Sequence, residues 1–159
     1  MIPNKKLIQA LRTVADAIEN NDFYDKNEDF YTTWDWNNPH QCNCGLLARE
    51  LGVTINDILE NVTYGYWSSS LEKALDEQDL NIKQCSSTNI PLNKVFDTLF
   101  QNGIQPQDIR EIEFCSGAIS LDENEDRLIT CNYFRDQANL LEHQLNSKEN
   151  LNDVVTVSC

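Results

Sequence analysis

Apolar residues recur at helical spacing in three strong stretches of the chain. Leu7, Ile8, Leu11, Val14, Ala15 and Ile18 fall three and four apart, which places them on one face of a helix spanning about residues 4–20. Leu92, Val95, Phe96, Leu99 and Phe100 repeat the pattern after Thr88-Asn89-Ile90-Pro91, a helix-start signature, and Gly103 is placed to end that helix. Cys131, Phe134, Ala138, Leu141 and Leu145 mark the third, from Ile129 to Ser147. Shorter helices are expected elsewhere. One runs from Gly45 to Leu51 and is closed by Gly52; another begins at Thr54 and carries Ile55, Ile58, Leu59 and Val62. Ser68-Ser69-Ser70 offers caps for a helix through Leu71, Ala74 and Leu75, and Pro106-Gln107-Asp108 starts one that reaches Phe114.

The gaps between helices are as informative as the helices. Residues 21–41 lack periodicity but hold Phe23, Tyr24, Phe30, Tyr31, Trp34 and Trp36. A connection this long and this aromatic is expected to pack over the body as an ordered loop. Gly117 turns the chain into an acidic loop, Asp122-Glu123-Asn124-Glu125-Asp126. No alternating strand pattern is present, and Val154-Val155-Thr156-Val157 reads as an edge strand or a frayed tail. The expectation is an all-α fold: one globular domain over residues 1–159, about six to seven helices, with at most minor β structure at the C-terminus.

Charge narrows the function classes. The net charge is −14, spread over both halves of the chain with no basic arm. Such a body repels phosphate backbones, whose binding depends on Lys and Arg, so nucleic acid is not an expected partner. It suits a basic protein partner, because charge complementarity speeds encounter. No apolar run is long enough to span a bilayer. Met1-Ile2-Pro3-Asn4-Lys5-Lys6-Leu7 leads into an amphipathic helix and lacks the continuous apolar centre of a signal peptide. A cytoplasmic location follows as an expectation, with the six cysteines held as reduced thiols.

Two motifs invite a reading that the chemistry opposes. Leu47-Ala48-Arg49-Glu50-Leu51-Gly52-Val53, with Ile55 and Ile58, resembles the packing signature of a helix-turn-helix. The would-be recognition helix, Ile55-Asn56-Asp57-Ile58-Leu59-Glu60-Asn61, holds two acids and no base, so DNA readout is not expected. Asp25-Lys26-Asn27-Glu28-Asp29 and Asp122-Glu123-Asn124-Glu125-Asp126 resemble the opening of an EF-hand calcium loop. Where that loop needs Gly the chain has Phe30 and Arg127, and where it needs a bidentate Glu it has Trp36 and Tyr133.

Reactive residues crowd at one place, His40-Gln41-Cys42-Asn43-Cys44-Gly45. Free cysteines are among the most buried residue types, so Cys42 and Cys44 can simply pack beneath the Trp34/Trp36 loop. A thiol-dependent enzyme is the alternative. Cys44, or Cys42, at a helix start would have its thiolate stabilised by the helix dipole, with His143 or His40 as base. A small structural zinc protein is the further alternative, with His40, Cys42, Cys44 and Cys85 as ligands. The function expected first is an acidic interaction module, an adaptor or an inhibitor of the immunity type, without a cofactor. Tyr31, Trp34, Trp36, Tyr64, Tyr66 and Trp67 would serve it as a contact surface if exposed.

Overall fold

The computed structural model describes residues 1–25, 30–31, 34, 42–54, 92–115 and 123–156. The expected helices after Thr54 and after Ser70, the second half of the helix-turn-helix-like segment, Trp36, Tyr64, Tyr66 and Trp67 lie outside the described residues.

The fold is all-α. Helix α1 spans Lys5–Asn20, α2 Asn43–Glu50, α3 Leu92–Gln101, α4 Ile109–Phe114 and α5 Glu123–Thr156, with a 3-10 turn over Pro106–Asp108 leading into α4. The one departure among the described residues is a two-residue antiparallel ladder, β1 (Tyr24–Asp25) against β2 (Phe30–Tyr31), inside the aromatic connection.

α1 begins at Lys5 because Asn4 caps it: the Asn4 side chain accepts from the Leu7 N–H at 2.9 Å. Every apolar position of its predicted stripe is buried. α5 lies antiparallel along this face. The Cys131 thiol donates to the Ala15 carbonyl at 3.3 Å, Arg12 grips Glu142 and Asn139, and Arg135 grips Asp16 and Glu19. Cys131, Phe134, Ala138 and Leu141 point into the same core, and Leu145 packs at its edge. These paired carboxylates respond to their partners: Arg135 holds Glu19, and Arg12 holds Glu142, below the usual carboxylate range.

Two segments differ from the pattern read in the chain. The acidic run expected as a loop is helical from Glu123 onward, and Val154-Val155-Thr156 continues α5 where an edge strand or frayed tail was expected. The first difference has a plain physical basis. Carboxylates in a first helical turn face the positive end of the helix dipole, so an acidic run after a turn favours a helix start.

Helix ends are closed by hydrogen-bonded caps. At the end of α3, the Ile104 N–H donates to the Leu99 carbonyl at 3.0 Å and the Gly103 N–H to Phe100 at 3.2 Å, with Gly103 at φ +99°. At the end of α2, the Val53 and Gly52 N–H groups repeat this arrangement on Ala48 and Arg49, with Gly52 at φ +117°. The two glycines are not equivalent. A Cβ on Gly52 meets nothing within 4 Å, whereas one on Gly103 would stand 2.6 Å from the Ile2 carbonyl oxygen. That carbonyl belongs to the N-terminal strap, whose Ile2 N–H donates to Gly103 and whose Met1 ammonium pairs with Asp108 at 2.9 Å. Gly103→Ala should therefore cost about 2–3 kcal/mol from backbone strain plus the displaced strap, and Gly52→Ala only about 1 kcal/mol. Urea unfolding of both variants measures the difference; equal losses would show that the strap yields freely.

Candidate functional site

The site grows from the N-terminus of α2. Cys42 is its N-cap, the thiol accepting from the Gly45 N–H at 3.4 Å, and Asn43, Cys44 and Gly45 form the first turn. A helix start leaves its first N–H groups without intrahelical partners, and a helix end does the same to its last carbonyls. Here the two needs meet. The C-terminus of α4, Ile112-Glu113-Phe114, abuts the α2 start, and each helix caps the other.

The Glu113 carboxylate accepts from the Cys44 N–H at 3.0 Å, serving the positive end of α2. The Asn43 side-chain amide donates to the carbonyls of Ile112 and Glu113, each at 3.1 Å, serving the open end of α4. The same amide nitrogen lies 3.5 Å from the Cys115 sulfur. On its other side, Asn43 accepts from the Trp34 indole N–H at 3.0 Å. Trp34 in turn lies beneath the Arg127 guanidinium of α5, 5.3 Å from ring centroid to charge, and Arg127 donates to the Ile18 carbonyl of α1. Four elements are thus tied through one asparagine and one tryptophan. Cys115 ends α4 in the left-handed region at φ 49°, its N–H donating to the Glu111 carbonyl at 2.7 Å.

Burial decides the chemistry of this cluster. Asn43, Cys42 and Cys44 are 0 % exposed and Glu113 is 1 % exposed. Burial pushes the Glu113 carboxyl above its ordinary range, against the Cys44 N–H and the Cys44 and Cys42 thiols, which hydrogen bond to it and pull it down. Burial also pushes the Cys44 thiol well above the ordinary thiol range, and the neighbouring Glu113 charge pushes it further. Cys115 is driven up to about 12 for the same first reason. A negative carboxylate beside a buried thiol disfavours the thiolate; the helix dipole expected to stabilise a Cys44 thiolate is already met by Glu113.

The residues singled out from sequence fare differently. Cys42 and Cys44 are brought together at Glu113. His143 is exposed on α5. The α5 residue whose surroundings include Cys44 and Cys115 is Tyr133, and His143 stands ten residues beyond it, about 15 Å of helix. His40 and Cys85 lie outside the described residues. Among the described residues, no three His, Cys, Asp or Glu side chains are placed to hold a metal ion. Asn43, Glu113 and Cys115 are the members that spacing did not single out. Glu113 did leave a signal: in a helix from Ile109 it falls four residues on, on the apolar side with Ile112.

The raised Glu113 carboxyl has a consequence with a definite sign. Below the ordinary carboxylate range the folded and unfolded chains both hold this proton, and the group costs nothing. As pH rises through that range the unfolded chain ionises first, and stability falls until the raised folded value is passed. Glu113→Gln keeps an acceptor for the Cys44 N–H and removes the titration. The stability of this variant relative to the parent chain should rise between acidic and neutral pH, measured by urea unfolding across that window. A difference independent of pH would contradict the assignment.

The chain matches no protein-family model, no curated protein and no solved structure. Among the described residues, no helix is long and apolar enough to cross a membrane.

Proposed function

We propose that the chain is an acidic, cytoplasmic protein-interaction module, an adaptor or an inhibitor of the immunity type that opposes a basic effector. The observation that carries this reading is the net charge of −14 together with the fate of the cations near it. Arg12 and Arg135 are spent on ion pairs between α1 and α5, and Lys6 donates to the Leu51 carbonyl at the end of α2. Among the described residues Asp22, Glu50, Asp97, Glu111, Asp136 and Glu149 are exposed, and acid in such positions favours encounter with a basic protein surface and disfavours nucleic acid. The reactive-looking stretch supports the same reading from the other side, since its thiols and amide are engaged in joining helices. Native mass spectrometry of pull-downs at low and high salt tests it: a partner released by salt is expected, and absence of any such partner would overturn it.

The rival reading is a thiol-dependent enzyme with Cys44 or Cys42 as nucleophile. One observation favours it, that both thiols hydrogen bond to a buried carboxyl able to take a proton. It requires a thiol acidified at neutral pH, opposite to what burial and the Glu113 charge do to Cys44. The structural-zinc reading, with His40, Cys42, Cys44 and Cys85, is tested by elemental analysis of the purified protein, where stoichiometric zinc is its expected result.

A further inference from the structure

We propose that Asn102-Gly103, at the end of α3, is a spontaneous deamidation site that the N-terminal strap holds shut, and that its product weakens the strap in return. Asn-Gly occurs once in the chain. In this dipeptide the backbone nitrogen reaches the preceding side-chain amide with least hindrance, because glycine carries no Cβ and turns freely. In the reaction the Gly103 nitrogen gives up its proton and bonds to Asn102 Cγ, the Cγ–Nδ2 bond breaks, and Nδ2 leaves as ammonia. Water then opens the resulting succinimide at either carbonyl. One opening gives aspartate; the other gives isoaspartate, with the backbone rerouted through the side chain. Water is the only co-reactant.

Each group that must move is tied down. The Gly103 N–H donates to the Phe100 carbonyl at 3.2 Å and Asn102 Nδ2 to the Thr98 carbonyl at 2.8 Å, which holds nucleophile and electrophile in the α3 cap. The strap holds the other side. Asn4 Nδ2 donates to the Asn102 carbonyl at 2.8 Å, and the Ile2 N–H to the Gly103 carbonyl at 2.6 Å. Ring closure turns the peptide about the Asn102 Cα–C bond and swings the Asn102 carbonyl away from Asn4. The Ile2 carbonyl lies so close over Gly103 that a Cβ there would meet it at 2.6 Å, so the docked strap also blocks the turn by contact. Ile2 is 55 % exposed and Asn102 half-buried, so the strap lifts without unfolding the core. The product acts back on it. A carboxylate at 102 faces the Thr98 carbonyl that the amide served, at the helix end where the dipole is already negative. Isoaspartate also lengthens the backbone between the two carbonyls that Asn4 and Ile2 grip.

The test incubates the full chain in mildly alkaline buffer, native and in urea, and follows the tryptic peptide Val95–Arg110 by mass spectrometry. Asn102 is the sole asparagine of that peptide, so amide-to-acid conversion and isoaspartate within it report this site. Conversion in urea should outrun conversion in the native chain by about a hundredfold, since the native site must first open. Asn4→Ala removes the strap's grip on the Asn102 carbonyl and should speed native conversion about fivefold. Val14→Ala removes buried packing on α1 but leaves the strap bonds, and should convert at the parent rate. Asn102→Asp reads the return effect: exchange of the Ile2 amide hydrogen, followed by NMR, should quicken about tenfold. No conversion in urea would overturn the site itself. Equal rates in native and urea-unfolded chains, or equal acceleration by Val14→Ala and Asn4→Ala, would overturn gating by the strap. Unchanged Ile2 exchange in Asn102→Asp would overturn the return effect.

Discussion

Asn43→Leu is expected to destabilise the protein by about 3–5 kcal/mol, a large part of the 5–15 kcal/mol that holds a typical domain together. Leucine has the heavy-atom count and branching of asparagine but bulkier methyl groups, so the loss combines the missing hydrogen bonds with a smaller overpacking cost. The substitution leaves the Ile112 and Glu113 carbonyls, both in buried bonds, and the part-buried Trp34 indole N–H without their Asn43 partner. A buried polar group deprived of its partner costs about 1–3 kcal/mol, and these three share one side chain. For a domain of this size the melting temperature should fall by about 10 °C. Asn43→Asp should be no milder, since it keeps the acceptor for Trp34 but turns a negative oxygen onto two carbonyls beside Glu113. Thermal melts monitored by circular dichroism measure both. A fall of less than about 1 kcal/mol for Asn43→Leu would show that water reaches the α2–α4 junction and that the reciprocal cap is not what joins the helices.

The helices were legible where one face is apolar and the other polar. The stripes of α1 and α3 and the core positions of α5 were all visible in spacing, because an apolar period near 3.6 residues arises when one face of a helix is buried and the other is wet. Gly52 and Gly103 were legible as helix stops for a reason that the structure repeats: both hold a positive φ that side-chain-bearing residues adopt only under strain. The start of α5 was not legible in the polarity of Asp122–Asp126, which says loop. It lay in the position of that run, which at a helix start says dipole partner.

The chemistry of His40–Gly52 was legible as a concentration of reactive side chains and illegible as to purpose. Cys42, Asn43 and Cys44 are sequence neighbours, but the groups that define their role sit about seventy residues away, at Ile112 and Glu113. Periodicity reports what lies on one face of an element; it carries no information on which helix end meets which. Asn43 is the plainest case. Between two cysteines it passes as filler, yet it makes more of the junction's hydrogen bonds than either thiol. Glu113 was readable only as an acid on the apolar side of α4, a local conflict of the kind that marks a buried polar network.

The second large expectation concerns reactivity, and it bears on what the whole stretch is for. A thiol with ordinary exposure ionises near pH 8.5 and is alkylated readily above it. Cys44 is sealed at 0 % exposure beside the Glu113 carboxylate, so its thiolate is disfavoured both by missing water and by like charge. Alkylation must then wait for the α2–α4 junction to open, and a junction closed by about 5 kcal/mol or more opens in fewer than one molecule in a thousand. The measurement is iodoacetamide labelling of Cys44, followed by peptide mass spectrometry, in the native protein and in denaturant from neutral pH to about pH 9. Labelling in the native protein slowed by about a thousandfold or more relative to denaturant is the predicted result. Native labelling at or above the rate of the unfolded chain, already at neutral pH, would contradict it and return Cys44 to the role of a nucleophile.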